Sequence, residues 1–220
     1  MRLRMLGLVC LVALFAAVLP RGATAQDHVA VDFRGGVAVP TGNLADAEDI
    51  GPAFTIGLNI GLMPRIALRV SGGADILQGT DLSTGAQAPD ITLTHFNGGV
   101  LFHLMPPASD SRFKADLNVG GGISIITSSR EIFSTVVNGT PGTVIVDYSN
   151  LYPAINAGLL LAYQLAPQVD VFVSGQGNLT LADENNINSQ QLALIAPETQ
   201  PLKNVFTFPI AAGLRFNFQP

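Results

Sequence analysis

Residues 205–218 read VFTFPIAAGLRFNF. Every second side chain is apolar: Phe206, Phe208, Ile210, Ala212, Leu214, Phe216 and Phe218. The intervening face holds Val205, Thr207, Pro209, Ala211, Gly213, Arg215 and Asn217. A period of two is that of a β-strand, whose successive side chains point to opposite faces. A strand that is greasy along one whole face and keeps a cation on the other suits a closed barrel with lipid outside and polar groups within.

Working outward, the same alternation recurs along the chain. It predicts strands over His28–Pro40, Gly51–Met63, Ile66–Ile76, Ile91–Leu104, a strand starting at Arg112, Tyr152–Gln164 and Val169–Leu179. With the C-terminal stretch the count is about eight. Phe172 is an exception to the pattern, an aromatic on an otherwise polar face. Short, proline-containing connections (Met63–Arg65, Met105–Ser111, Leu165–Gln168) alternate with long polar ones (Thr41–Ile50, Leu77–Asp90, Ala182–Leu202). Between the fifth and sixth strands, Ser128–Val137, the turn signal Asn138-Gly139-Thr140-Pro141-Gly142 and Thr143–Val146 predict a hairpin standing above the barrel. The fold class expected is therefore all-β, a closed antiparallel up-and-down transmembrane barrel.

The chain begins MRLRMLGLVCLVALFAAVLPRGATAQ. Two early arginines, an apolar run and Ala23-Thr24-Ala25 as a small-x-small site read as a signal peptide over residues 1–25, with the barrel domain in 26–220. Cys10, the single cysteine, lies in that segment, so the exported chain holds no disulfide, thiolate metal site or cysteine nucleophile. Of the 11 basic residues, Arg2, Arg4 and Arg21 also lie there, leaving 8 against 16 acids, a net charge of −8. So acidic a chain is ill suited to nucleic acid. Hydrophobic residues make up 48% and charged ones 12%, yet no run beyond the signal reaches the roughly 18 apolar residues of a membrane helix. Hydrophobicity without helical spans points to strands.

The strand pattern, the alternation of short and long connections and the phenylalanine-rich last strand together resemble the small outer-membrane β-barrel proteins, the OmpA-like and OmpX-like group. The resemblance covers the whole chain after the signal. It implies a cell outer-membrane location, outer-membrane lipid and lipopolysaccharide as surroundings, and recognition of the C-terminal strand by the barrel-assembly machinery. Two features depart from the group's pattern: Gln219-Pro220 follows Phe218, and the chain has no Trp and three Tyr for interfacial girdles.

An eight-stranded barrel has an interior just filled by side chains. Counting from the short turns places Asp32, Arg34, Arg69, His103, Lys114, Asp116, Asp170 and Arg215 inside, in the half nearest those turns. Asp32 and Asp170 come from the two strands flanking that of Arg215. Charges in so narrow a lumen must be paired, so an interior ion-pair and hydrogen-bond network is expected. Such a network plugs the barrel, leaving a structural or surface-interaction role to the extracellular loops and an unidentified extracellular partner. The alternatives are a small passive pore or hydrophobic-compound channel, and a soluble exported barrel of the lipocalin or streptavidin sort binding an apolar ligand.

No enzymatic chemistry is expected. Among His28, His95 and His103, only His95 faces inward in the upper half, and no Ser lies two residues from it. Asp110-Ser111 falls in a short turn, at the opposite end. No HxH, HExxH or EF-hand spacing is present, so neither metal nor cofactor is expected. The long loops and the hairpin carry Asp46, Glu48, Asp49, Asp81, Asp90, Glu131, Asp147, Asp183, Glu184 and Glu198 against Arg130 alone, an acidic solvated surface.

Overall fold

Alternating side chains let a strand present lipid-like residues outward and polar ones inward along its whole length, and the chain uses this device eight times. The computed structural model describes residues 29–80, 88–105, 111–129, 131–137, 140–146, 148–182 and 204–218, with Asn43, 131–137 and 140–146 described by backbone alone. The signal segment, His28, the Asn138-Gly139 turn centre, Arg130, Asp81, Asp110, Asp147, most of the last long loop with Asp183, Glu184 and Glu198, and Gln219-Pro220 lie outside the described residues.

The elements are β1 (Val29–Thr41), β2 (Glu48–Asp49), β3 (Gly51–Met63), β4 (Ile66–Gly79), β5 (Ile91–His103), β6 (Phe113–Ser128), β7 (Glu131–Val137), β8 (Thr140–Val146), β9 (Ser149–Ala166), β10 (Val169–Thr180) and β11 (Val205–Phe218). Eight of them form one antiparallel sheet in the order β1, β3, β4, β5, β6, β9, β10, β11, and β11 pairs back onto β1 from Val29↔Phe218 to Thr41↔Phe206. The sheet is thus a closed barrel and its eight strands have no free edge. β7 and β8 form a separate two-stranded sheet.

The tight turns Pro64-Arg65 and Pro167-Gln168 lie at one end, called here the turn end. Register irregularities at Gly61/Met63 and Val169/Asp170 sit beside these two turns, where a bulge lets a strand bend into its connection. At the other end, the loop end, the segment between β1 and β3 folds back over the mouth. A 3-10 turn at Gly42–Leu44 buries Leu44, and β2 pairs with Gln78 and Gly79 of β4. Sequence periodicity does not register an element of two residues, so β2 and this infolded loop were not expected.

Outward positions are apolar and exposed all round: Phe33, Phe54, Ile56, Val70, Phe96, Val119, Ile155, Leu161, Val173 and Ile210 among them. Inward positions form three tiers. Charges fill the turn end and amides and hydroxyls the middle. At the loop end is an apolar cluster of Ala38, Leu44, Ala53, Leu77, Ile91, Leu93, Ile126, Tyr148, Tyr152, Ala182 and Val205. This cap is the larger of two buried apolar clusters among the described residues; the smaller, Leu160, Ala162 and Phe172, lies among the charges toward the turn end.

Candidate functional site

The charged tier is built from strand neighbours whose alternation turns them all inward. Arg69 of β4 reaches past β3 to Asp32 of β1 with Nη1 2.6 Å from Oδ2 and Nη2 2.8 Å from Oδ1. Asn59 of β3 sits between them, donating to Asp32 at 2.8 Å and accepting from Arg69 at 2.7 Å. All three are buried. Gly57 makes this possible, since a Cβ there would lie 2.5 Å from the Arg69 Nη2 and 2.9 Å from the Asp32 Oδ1.

Asp32 and Asp170 stand directly opposite Arg215 on its two flanking strands. Arg215 nevertheless reaches Asp116 of β6, donating from Nη1 to Oδ2 at 2.8 Å. Both flanking acids have other partners: Asp32 holds Arg69, and Asp170 accepts Lys114 Nζ at 2.9 Å on each oxygen and Asn217 Nδ2 at 3.0 Å. Phe172, the aromatic that breaks the inward polar pattern, supports the longer reach. Its ring lies 5.9 Å from the Arg215 guanidinium carbon, a distance at which a cation is attracted to an aromatic face. Gly213 leaves room for that ring, since a Cβ there would lie 2.7 Å from its tip. Asp116 is shared further: His103 Nδ1 is 2.7 Å from its other oxygen.

Of the eight residues expected in the lumen, six thus stand in ion pairs, Asp32, Arg69, Lys114, Asp116, Asp170 and Arg215, and His103 joins them through its contact with Asp116. Arg34 differs. It donates to neutral partners in the middle tier, Gln176 Oε1 at 2.6 Å and Ser174 Oγ at 3.4 Å. A void of about 10 Å³, room for roughly one water, is lined by Arg34, Arg69, Asn118, Ser174 and Gln176. Below the cap, the described residues place four carboxylates (Asp32, Asp75, Asp116, Asp170) against four permanent cations (Arg34, Arg69, Lys114, Arg215). These eight charges balance.

Asn59 and Asp75 fall on the inward faces of their strands by the same alternation, but a partner across the lumen leaves no trace in one strand's pattern. Asp75 lies higher, just under the cap. Its Oδ2 accepts from Thr207 Oγ1 of β11 at 2.8 Å, and its Oδ1 is 3.7 Å from His95 Nε2. His95 in turn stands directly opposite Ser124 of β6. The serine absent from the neighbourhood of His95 along its own strand is supplied by the next strand.

No family model matches this sequence, and no curated protein matches it. Among solved structures, the chain is similar to the Neisserial surface protein A, with a TM-score of 0.56 and 12% identity over 90% of this chain and 100% of that one. The N-terminal β-barrel domain of OprF from Pseudomonas aeruginosa aligns with a TM-score of 0.49 and 13% identity over 89% of this chain and 100% of the domain. At such identities the likeness is one of fold. The fold is that of the small eight-stranded outer-membrane β-barrels.

Proposed function

We propose that this chain is a bacterial outer-membrane barrel, closed to solutes, that anchors its long loops and the β7–β8 hairpin at the cell surface for contact with an extracellular partner. The observation that carries this reading is the filled lumen: an apolar cap over an interior of paired, hydrogen-bonded charges. A channel needs a wetted path, whereas an apolar constriction repels water and ions. The exposed apolar outer surface supports outer-membrane lipid and lipopolysaccharide as the surroundings, with the turn end periplasmic and the loop end outside. The phenylalanine-rich β11, which seals the barrel against β1, is the element offered to the barrel-assembly machinery. β7 and β8 lie outside the barrel sheet, so their edges are available to pair with a further strand.

The test combines three measurements on the full chain. Protein in isolated outer membranes is expected to change gel mobility on boiling, and planar bilayers containing it are expected to stay at baseline conductance. Removal of residues 130–147 is expected to keep the mobility shift and to abolish binding to the cell surfaces or matrix that the intact protein binds. Steady conductance steps would overturn the closed lumen, and unchanged binding would overturn the role of the hairpin.

A further inference from the structure

Three side chains under the cap are not accounted for by a plug. Ser124, His95 and Asp75 come from β6, β5 and β4, three consecutive strands of the sheet, and are 1%, 5% and 1% exposed. His95 and Ser124 are direct cross-strand partners, and Asp75 is one inward step diagonal from His95. Directly opposed side chains on one face have Cβ atoms about 5 Å apart, within reach of a hydroxyl and an imidazole. The Asp75 carboxylate is held from the far wall by Thr207 and turns its other oxygen to His95 Nε2, 3.7 Å away. The Ser124 Oγ is buried with no hydrogen-bond partner among the described residues. A buried hydroxyl left unpaired beside an imidazole is a costly arrangement that calls for a reason.

We infer that Ser124, His95 and Asp75 form a serine-hydrolase site at the outer end of the lumen, taking an ester with an unbranched apolar acyl chain. Ser124 is the nucleophile, His95 the base and Asp75 the residue that positions the base, an arrangement recognised by geometry and roles rather than by fold. The substrate class follows from what surrounds the serine. Along β6 and β5 the next inward residues toward the mouth are Ile126 and Leu93, both in the apolar cap, so the acyl chain lies among aliphatic side chains. Leu44 is the cap member supplied by the infolded loop rather than by a barrel strand, so trimming it loosens the cap from the loop side. Asn97, the next inward residue toward the turn end, carries the amide for the developing oxyanion.

The reaction balances without any redox partner. The Ser124 oxygen bonds to the ester carbonyl carbon while its proton passes to His95. The bond to the alkoxy oxygen then breaks, and the alcohol leaves with the proton from His95. Water attacks the acyl-serine by the same proton path and releases the carboxylic acid. Catalytic hydrogen bonds are often long or unmade in the free protein and tighten only when substrate is bound.

The test uses the full chain folded in detergent micelles, with gel mobility as the control for folding. The probes are an alkyl fluorophosphonate and p-nitrophenyl octanoate. The folded protein is expected to take up one phosphonyl group at Ser124. Ser124→Ala should abolish labelling and hydrolysis, His95→Gln should slow labelling by about 100-fold or more, and Leu44→Ala should speed it. Asp75→Asn is expected to move the pH profile of labelling without removing the label. Absence of label at Ser124 in both the folded wild type and the folded Leu44→Ala variant overturns the assignment. So does a folded His95→Gln variant that labels at the wild-type rate.

Discussion

Arg69 holds Asp32 through both terminal guanidinium nitrogens, at 2.6 and 2.8 Å, in a lumen where neither side chain reaches bulk water. The forked geometry gives two parallel charge-assisted bonds, and Asn59 adds one further bond to each partner. Neither partner is tolerable alone. Asp32→Ala is expected to lower the stability of the folded barrel by about 3–5 kcal/mol, because it leaves a buried guanidinium unpaired. The double change Asp32→Leu with Arg69→Met should recover most of that loss. Urea titration in micelles, followed by circular dichroism because the chain has no Trp, measures both. A single variant as stable as wild type would contradict the pairing.

The same pair predicts the behaviour of its neighbour. Gly57→Ala inserts a methyl 2.5 Å from the Arg69 Nη2, so the guanidinium must leave its place on Asp32. Its effect should be non-additive with that of Asp32→Ala, since both act on one contact. Additivity within about 0.5 kcal/mol would mean that the glycine serves some other purpose.

The cap should behave as an ordinary hydrophobic core. Leu93 is 2% exposed among Leu77, Ile91 and Ile126, so Leu93→Ala leaves a cavity and is expected to cost about 2–5 kcal/mol. Leu159, 44% exposed on the outer wall, leaves none because lipid or detergent closes over the site, and its change to Ala should cost less. Equal losses in the urea titration would show that the cap is not packed.

Loop closure over the mouth should depend on pH. Glu48, in the loop outside the barrel strands, is buried at the β2–β4 contact, and one of its oxygens has no partner among the described residues. Burial first, then the charge of Asp90, pushes its pKa up from 4.5 to about 8, against the pull of the Ile91 backbone N–H. Between those values the closed loop binds more protons than the opened one, so closure weakens as pH rises through the window and levels off above about 8. Cleavage of the 42–50 segment by a broad-specificity protease, normalised to unfolded chain at each pH, should rise from pH 6 to 9. Glu48→Gln should flatten the profile. A slope that survives this change would assign the pH dependence to another group.

Much of the fold was legible in one dimension. Strand positions follow from a period of two, and for Gly51–Met63 and Val205–Phe218 the expected and observed limits coincide. Inward charges were equally visible, because each lies on the polar face of its own strand. Phe172 could be seen to break the pattern, but the reason lies 5.9 Å away on β11, in Arg215.

What the sequence determined by itself was therefore local and periodic: strands, faces, connections and the set of charges that the faces enclose. Tertiary structure alone decided which of those charges meet, because closure of the barrel sets distances across the lumen that no separation along the chain encodes. Arg215 passes by two adjacent aspartates for Asp116 on the far wall, and Asp75, His95 and Ser124 converge from three strands. The apolar cap has the same origin. Its members come from seven of the barrel strands, the infolded loop and two strand-flanking positions, each contributing one or two residues to a face that reads as polar or small, and they become a core only once the sheet has closed around them.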